Sequence, residues 1–236
     1  LVHPMPRVVV LTVGADLSDP GDTDESIPDV NGVALTSAAT AAGAMTFRVG
    51  PLPNDENILR SALEDQLVRA DIILTACGMS ADDYDLLTRV LRSMGQMDFV
   101  KVSMQPGSAQ GFGSIGPDRT PVFVLPGNPV GALLSFDVFV RPVIRAMMGQ
   151  TSLHHRVIEA KLESDIQSNA ADTHYIRAQV NSHSGETRVR SLEADESHAL
   201  AGLGIADALI IVPSGVEQVK AGQIVAVMLL DPQANQ

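Results

Sequence analysis

The chain has 236 residues, enough for one large domain or for a medium and a small one, and either arrangement can bury a real core. Hydrophobic residues make up 45% and aromatics only 3%, so that core is built from Val, Leu, Ile, Ala and Met. The formal net charge of −12 excludes the basic patch that a nucleic-acid or anionic-membrane surface needs, and the single cysteine, Cys77, excludes an internal disulfide framework or a multi-cysteine zinc site.

In chain order, RVVVLTV (residues 7–13) reads as a buried strand ending at Gly14. An acidic, turn-rich loop follows, and from Asp29 the small residues of DVNGVALTSAATAAGA suit a helix packed closely on a sheet, ended by Gly43. Residues 45–49 form a second strand. NDENILRSALEDQLVRA (54–70) places Ile58, Leu59, Ala62, Leu63 and Leu67 at helical spacing. A third strand, DIILT (71–75), leads through ACGMSADDYD into a helix carrying Leu86, Leu87, Val90 and Leu91, and residues 99–104 suit a further strand. Residues 122–125 are a short apolar run followed by the rigid corner Pro126, Gly127, Asn128, Pro129. One long helix is expected after it, with Asn128 as its cap, Pro129 in the first turn and Gly149 as its left-handed stop.

Strands alternating with helices predict an α/β domain over residues 1–150: an open, mostly parallel sheet with helices on both faces. Ligands of such sheets bind at the carboxyl ends of the strands. Four loops are expected there, spanning residues 14–29, 76–85, 105–109 and 126–129. After Gly149 the pattern changes to strands at 155–163, 174–181, 187–192, 208–212 and 223–230 with polar turns between them. Residues 151–236 are therefore expected to form a small all-β barrel or sandwich, with the tail DPQANQ frayed.

Asp16, Asp29, Asp82, Asp83 and Asp85 all fall in or beside these loops. Brought together, such hard oxygen ligands could hold Mg²⁺ beside an oxyanion; apart, they cap helices and stay solvated, and spacing alone favours capping. Gly78, Met79 and Ser80 could cradle an anion with backbone N–H groups or form an ordinary turn, and the same choice applies to Pro106, Gly107 and Ser108. Five of the six histidines lie beyond Gly149 with no metal-type helical pair, and no histidine is expected near Cys77 to activate it. The longest apolar runs are too short to cross a bilayer, no signal peptide is visible, and the cysteine usage fits a reducing cytoplasm. The chain begins at Leu1 rather than Met and is read as a fragment.

TVGADL (12–17), IPDVN (27–31), TACGMSADDYD (75–85), KVSMQPGSAQGFG (101–113) and VFVLPGNPVGALLSFDVFVRP (122–142) occur in an order that resembles the molybdopterin molybdenumtransferases, the MoeA and gephyrin E-domain proteins. SHALAGLGIADALIIVP (197–213) resembles the last segment of that family, so the likeness covers nearly the whole chain. It implies an enzyme of molybdenum-cofactor biosynthesis that inserts molybdate into adenylylated molybdopterin, with Mg²⁺ and with loss of AMP. It further implies catalytic acids at Asp16, Asp29 and Asp83, the last two also as metal ligands, and substrate contacts from Gly78, Ser80, Asp85, Gly107, Ser108, Pro126, Gly127, Asn128 and Pro129. A cytoplasmic homodimer served by a molybdopterin adenylyltransferase partner is the matching biology, without nucleic acid or membrane.

The chain departs from the family pattern in the 105–109 loop. Where relatives have KPGKP it has QPGSA, so Gln105 and Ser108 replace two lysines; each lost charge-assisted contact is worth roughly 1–2 kcal/mol. Asp16 stands for the usual glutamate, Ala15 for an acid and Cys77 for a glycine. The alternative expectation is thus a catalytically impaired paralogue that binds molybdopterin or serves as a scaffold subunit. A Mg²⁺-dependent nucleotide-binding protein of another family is a third possibility, but it lacks any nucleotide motif to support it.

Overall fold

The computed structural model describes residues 2–19, 21, 26–78, 80–183, 185–192 and 204–230. Met79, the 197–203 segment and the 231–236 tail, about which the sequence made specific expectations, lie outside the described residues. Two compact units emerge: Leu1–Val102 with Ala109–Leu153, and Ser103–Ser108 with His154–Gln236.

In the first unit β1 (Arg7–Val13) is the hub, with every position after Arg7 buried. Its loop contains the short parallel pair β2 (Leu17–Ser18) and β3 (Ile27–Pro28), and leads to α1 (Val30–Ala41). Then come β4 (Met45–Leu52), α2 (Glu56–Leu67), β5 (Ile72–Cys77), α3 (Ala81–Met94) and β6 (Gly95–Lys101). The short β7 (Met104–Gln105) is followed by β8 (Ala109–Ile115), β9 (Thr120–Leu125), α4 (Pro129–Ser135) and α5 (Arg141–Met147). The sheet order is β4-β1-β5-β9-β8-β6, parallel from β4 to β9 and antiparallel through β8 and β6. Alternation along the strands divides the core. Val9, Leu11, Val13 and Ile73 face Leu59 and Leu63 of α2 and Leu87 and Leu91 of α3, while Val8, Val10, Ile72 and Leu74 face Leu35 of α1 and Phe136, Val140 and Ile144 of the last helical stretch. The expected mostly parallel sheet with helices on both faces is what the chain forms.

Three local expectations are corrected. Ile58, placed on the apolar stripe of α2, is 46% exposed; Leu59 and Leu63 fill the core instead. The long final helix is broken by a π turn at Phe136–Val140. Pro142 has no N–H to return to the carbonyl of Val138, and the ladder widens just ahead of it. The strand expected at 99–104 starts at Gly95 and runs antiparallel, and β8 after it was not expected at all. Gly111 and Gly113 hide β8 from propensity, yet both are sterically required: a Cβ on Gly113 would lie 2.6 Å from Met97 Sδ, and one on Gly111 would lie 2.8 Å from Val124 Cβ.

The 105–109 loop joins β6 to β8 at the expected edge of the sheet, because β6 runs in the same direction as β9 and ends at Lys101 beside Ala109. Its first residues form β7, which pairs in parallel with β12 (Thr173–His183) of the second unit, Met104 beside Thr173 and Gln105 beside His174. That unit also contains β10 (Val157–Leu162), β11 (Ile166–Gln167), β13 (Glu186–Ser191), β14 (Ala208–Val212), β15 (Gln218–Val219) and β16 (Ile224–Leu229). The order is β13-β10-β16-β14-β12-β7, and β13 also pairs with β12, so the strands close into a barrel-like ring. Ile176, Ala178, Val189, Ile210 and Val227 fill its interior. Ring closure removes most free edges, as the expected small β barrel requires.

Candidate functional site

The carboxyl ends of β1, β5 and β9 bring three of the expected loops together. Asp29 caps α1 and is 1% exposed. The Gly32 N–H donates to its Oδ1 at 2.8 Å, and Thr12 Oγ1–H, in β1, donates to Oδ2 at 2.7 Å. Arg48 in β4 donates to the same Oδ2 from Nη2 at 2.8 Å and Nε at 3.3 Å, and its Nη2 also lies 2.8 Å from Asp19. None of Thr12, Gly32 or Arg48 was singled out from the sequence. The available signal was one cation in the middle of an otherwise apolar strand.

Asp83 occupies the first turn of α3, three residues after the Ser80 cap, and is 4% exposed. Asn54, which precedes α2, donates to Asp83 Oδ1 from Nδ2 at 2.8 Å, and the Ala15 N–H also donates to the carboxylate. A Cβ on Gly78 would come within 2.9 Å of Asp83 Oδ2, so glycine lets the end of β5 close over the acid. Burial pushes the Asp83 carboxyl above the usual carboxylate range; the bonds from Asn54 and Ala15 pull it back in part, and the charges of Asp16 and Asp82 push it further up. Asp83 thus links the ends of β1 and β5 with the start of α2.

A cavity of about 350 Å³ lies beside it, lined by Cys77, Gly78, Ser80, Tyr84, Gly127 and Asn128 among others. Its wall is a close backbone contact: a Cβ on Gly127 would lie 2.8 Å from the Gly78 carbonyl oxygen and 3.0 Å from that of Cys77. Asn31 clamps the same corner from α1, donating from Nδ2 to the Gly127 carbonyl at 2.6 Å. Asn128 Oδ1 accepts from Val130 N–H at 2.9 Å, and Pro129 opens α4 as expected. Asn31 escaped notice in the sequence, although it stands two residues after Asp29 in IPDVN.

Asp16 stands near enough to Asp83 for its charge to act there. Asp16 and Asp85 are exposed, and Gly107 and Ser108 belong to the second unit. Among the described residues no three or more His, Cys, Asp or Glu side chains come together as a metal-holding group. Asp29 offers Mg²⁺ a poor place, since protein N–H and O–H donors already occupy both of its oxygens.

Cys77 lines the cavity but is 4% exposed, and burial, followed by the negative charge of Asp83, pushes its thiol up to about 11. The thiol is therefore fully protonated at neutral pH and a weak nucleophile. Iodoacetamide at mildly alkaline pH is expected to leave Cys77 unmodified in the folded protein and to label it after denaturation, as read by intact-mass spectrometry. Rapid labelling of the native protein would contradict the burial.

Comparison with known proteins assigns this architecture. Residues 9–146 match the family model described as "Probable molybdopterin binding domain", and residues 159–230 match "MoeA C-terminal region (domain IV)". Molybdopterin molybdenumtransferase 1 of Mycobacterium tuberculosis is 41% identical over 98% of this chain and 56% of its own length; molybdopterin molybdenumtransferase 2 of the same organism is 34% identical over 94% and 56%. The crystal structure of the molybdopterin biosynthesis MoeA protein from Pyrococcus horikoshii shares the fold with a TM-score of 0.81 at 24% identity, over 96% of this chain and 55% of that one. The chain spans about half the length of the curated relatives it matches. With both domain models and these relatives in agreement, the chain belongs to the MoeA-type molybdopterin molybdenumtransferase family of molybdenum-cofactor biosynthesis.

Proposed function

We propose that the protein of which this chain is part inserts molybdate into adenylylated molybdopterin with release of AMP. The observation that carries the reading is the cavity beside Asp83, set at the N-terminus of the fourteen-residue α3 and walled by the Gly127 and Asn128 corner. Free N–H groups of a helix N-terminus favour an anion, and Ser80 adds a hydroxyl there. In this reading Asp83, with its raised affinity for a proton, takes one up and returns it as bonds to oxygen are exchanged. Pro126, Gly127, Asn128 and Pro129 contribute shape rather than charge, and Asp16 offers a carboxylate open to ligand. Asp85 lies on the exposed side of α3, and by the family pattern alone Gly107 and Ser108 are also proposed as substrate contacts. Mg²⁺ enters this reading as a companion of the substrate phosphates.

A second reading, a pterin-binding paralogue without turnover, is favoured by the neutral Gln105 and Ser108. One experiment separates the two: molybdate-dependent AMP release by the full-length protein, wild type beside the Gln105→Lys/Ser108→Lys variant, with molybdopterin binding followed by calorimetry. Release by the wild type at a rate close to that of the variant is the expected result. Binding without release in the wild type, restored in the variant, would establish the impaired paralogue; neither binding nor release would overturn both readings. A cytoplasmic homodimer and a molybdopterin adenylyltransferase as supplier belong to the same proposal.

A further inference from the structure

The buried carboxylate at the start of α1 already has its counter-charge. Asp29 Oδ2 takes three donor atoms, Thr12 Oγ1 and Nε and Nη2 of Arg48, while Oδ1 takes the Gly32 N–H. With a side chain 24% exposed, Arg48 lies between Asp29 on the inside and Asp19, 59% exposed, on the outside. The space around the pair is full. A Cβ built on Gly32 would collide with Asp29 Oδ2 and lie 2.7 Å from Arg48 Nε, so an ion with its own water shell has less room still.

From this packing we infer that Arg48, a side chain given no role by the family motifs quoted above, is the resident cation of Asp29, and that Asp29 is a buried structural anion of the site rather than a ligand of a divalent metal. Mg²⁺ demands near-octahedral oxygen coordination and gives up its water reluctantly. To reach Oδ2 it would have to displace a guanidinium and a hydroxyl, and at either oxygen it would sit beside the Arg48 positive charge. What the pair does instead is mechanical. It ties the loop after β1, through Asp19, to the first turn of α1, and that turn carries Asn31, whose amide holds the Gly127 carbonyl. The inference does not depend on whether the chain turns over molybdate.

Mn²⁺ serves as the probe, with free ion measured by electron paramagnetic resonance in titrations of the full-length protein, wild type and Asp29→Asn. Asn is close to isosteric and keeps one acceptor oxygen of the two that Gly32 and Thr12 use. The expected result is the same Mn²⁺ affinity in both, within about twofold, or no binding in either. Weaker binding in Asp29→Asn by more than that margin would overturn the inference. Should the variant fail to fold, the wild type alone decides: Mn²⁺ is expected to leave the Gly32 amide signal sharp in nitrogen–proton spectra, and its selective loss at low Mn²⁺ would place the ion on Asp29.

Discussion

Asp83→Asn is expected to abolish molybdate-dependent AMP release while leaving the fold as stable as the wild type at neutral pH, or more so. Burial raises the Asp83 carboxyl above its ordinary range, so the folded protein holds that proton more tightly than the unfolded chain does. The stabilising contribution of this group is therefore complete below the usual carboxylate range and is lost as pH rises through the folded-state value. At neutral pH the buried charge is a net cost, and an uncharged amide of the same shape escapes it. Asn54 can still donate to the retained oxygen. What the amide cannot do is take up and return a proton, a contribution commonly worth about 10²–10⁴-fold in rate. Thermal melting against pH and AMP release on the same preparations provide the check. Near-normal turnover in the variant would remove Asp83 from the chemistry, and a steep loss of melting temperature at neutral pH would show that its charge stabilises the fold.

The opposite balance is expected at Asp29. Replacing it with Ala leaves the Gly32 N–H and the Thr12 hydroxyl without their acceptor and strips Arg48 of its inner partner, although Asp19 remains. Breaking a buried ion pair from one side costs about 3–5 kcal/mol, and Asp19 puts the expected loss near the lower end. Domain stabilities are only about 5–15 kcal/mol, so this one change takes a large share. Urea unfolding of Asp29→Ala beside Asp29→Asn measures it, and a loss below about 1 kcal/mol in the Ala variant would mean that Arg48 and Thr12 find other partners. Two acids from separate motifs of the family are thus expected to fail in different ways, one in turnover and the other in folding.

Much of the first unit was legible because periodicity and caps act locally. Apolar strands, the Asp29 and Asn128 caps and the amphipathic face of α3 all follow from neighbours within a turn or two. The parts that escaped depend on residues far apart in sequence. β8 looked like a loop because two glycines lower its strand propensity, and only Met97 and Val124 explain why nothing larger fits. Arg48 was not singled out in the sequence, and only the fold brings it beside Asp29, nineteen residues earlier. Asn31 and Gly127, separated by 96 positions, meet through a single hydrogen bond that no spacing rule contains. The motif order singled out Asp29 and Asp83 but said nothing of their surroundings, and the surroundings separate an ion-paired anion from an acid whose affinity for a proton is raised.

The pairing of β7 with β12 bears on how this protein can be dissected. Because residues 103–108 belong to the second unit while the chain on both sides belongs to the first, the polypeptide passes between the units at Val102, at Ser108 and at Leu153. No single cut yields two intact pieces. A fragment beginning at His154 would lack the strand that covers Thr173 and His174, leaving a bare ladder edge open to foreign strands, and the complementary fragment would carry a short segment with nothing to pair against. Shuffling or truncation that treats Leu153 as a clean border therefore removes one stave of the barrel, whereas a permuted chain that keeps residues 103–108 with the β unit preserves it.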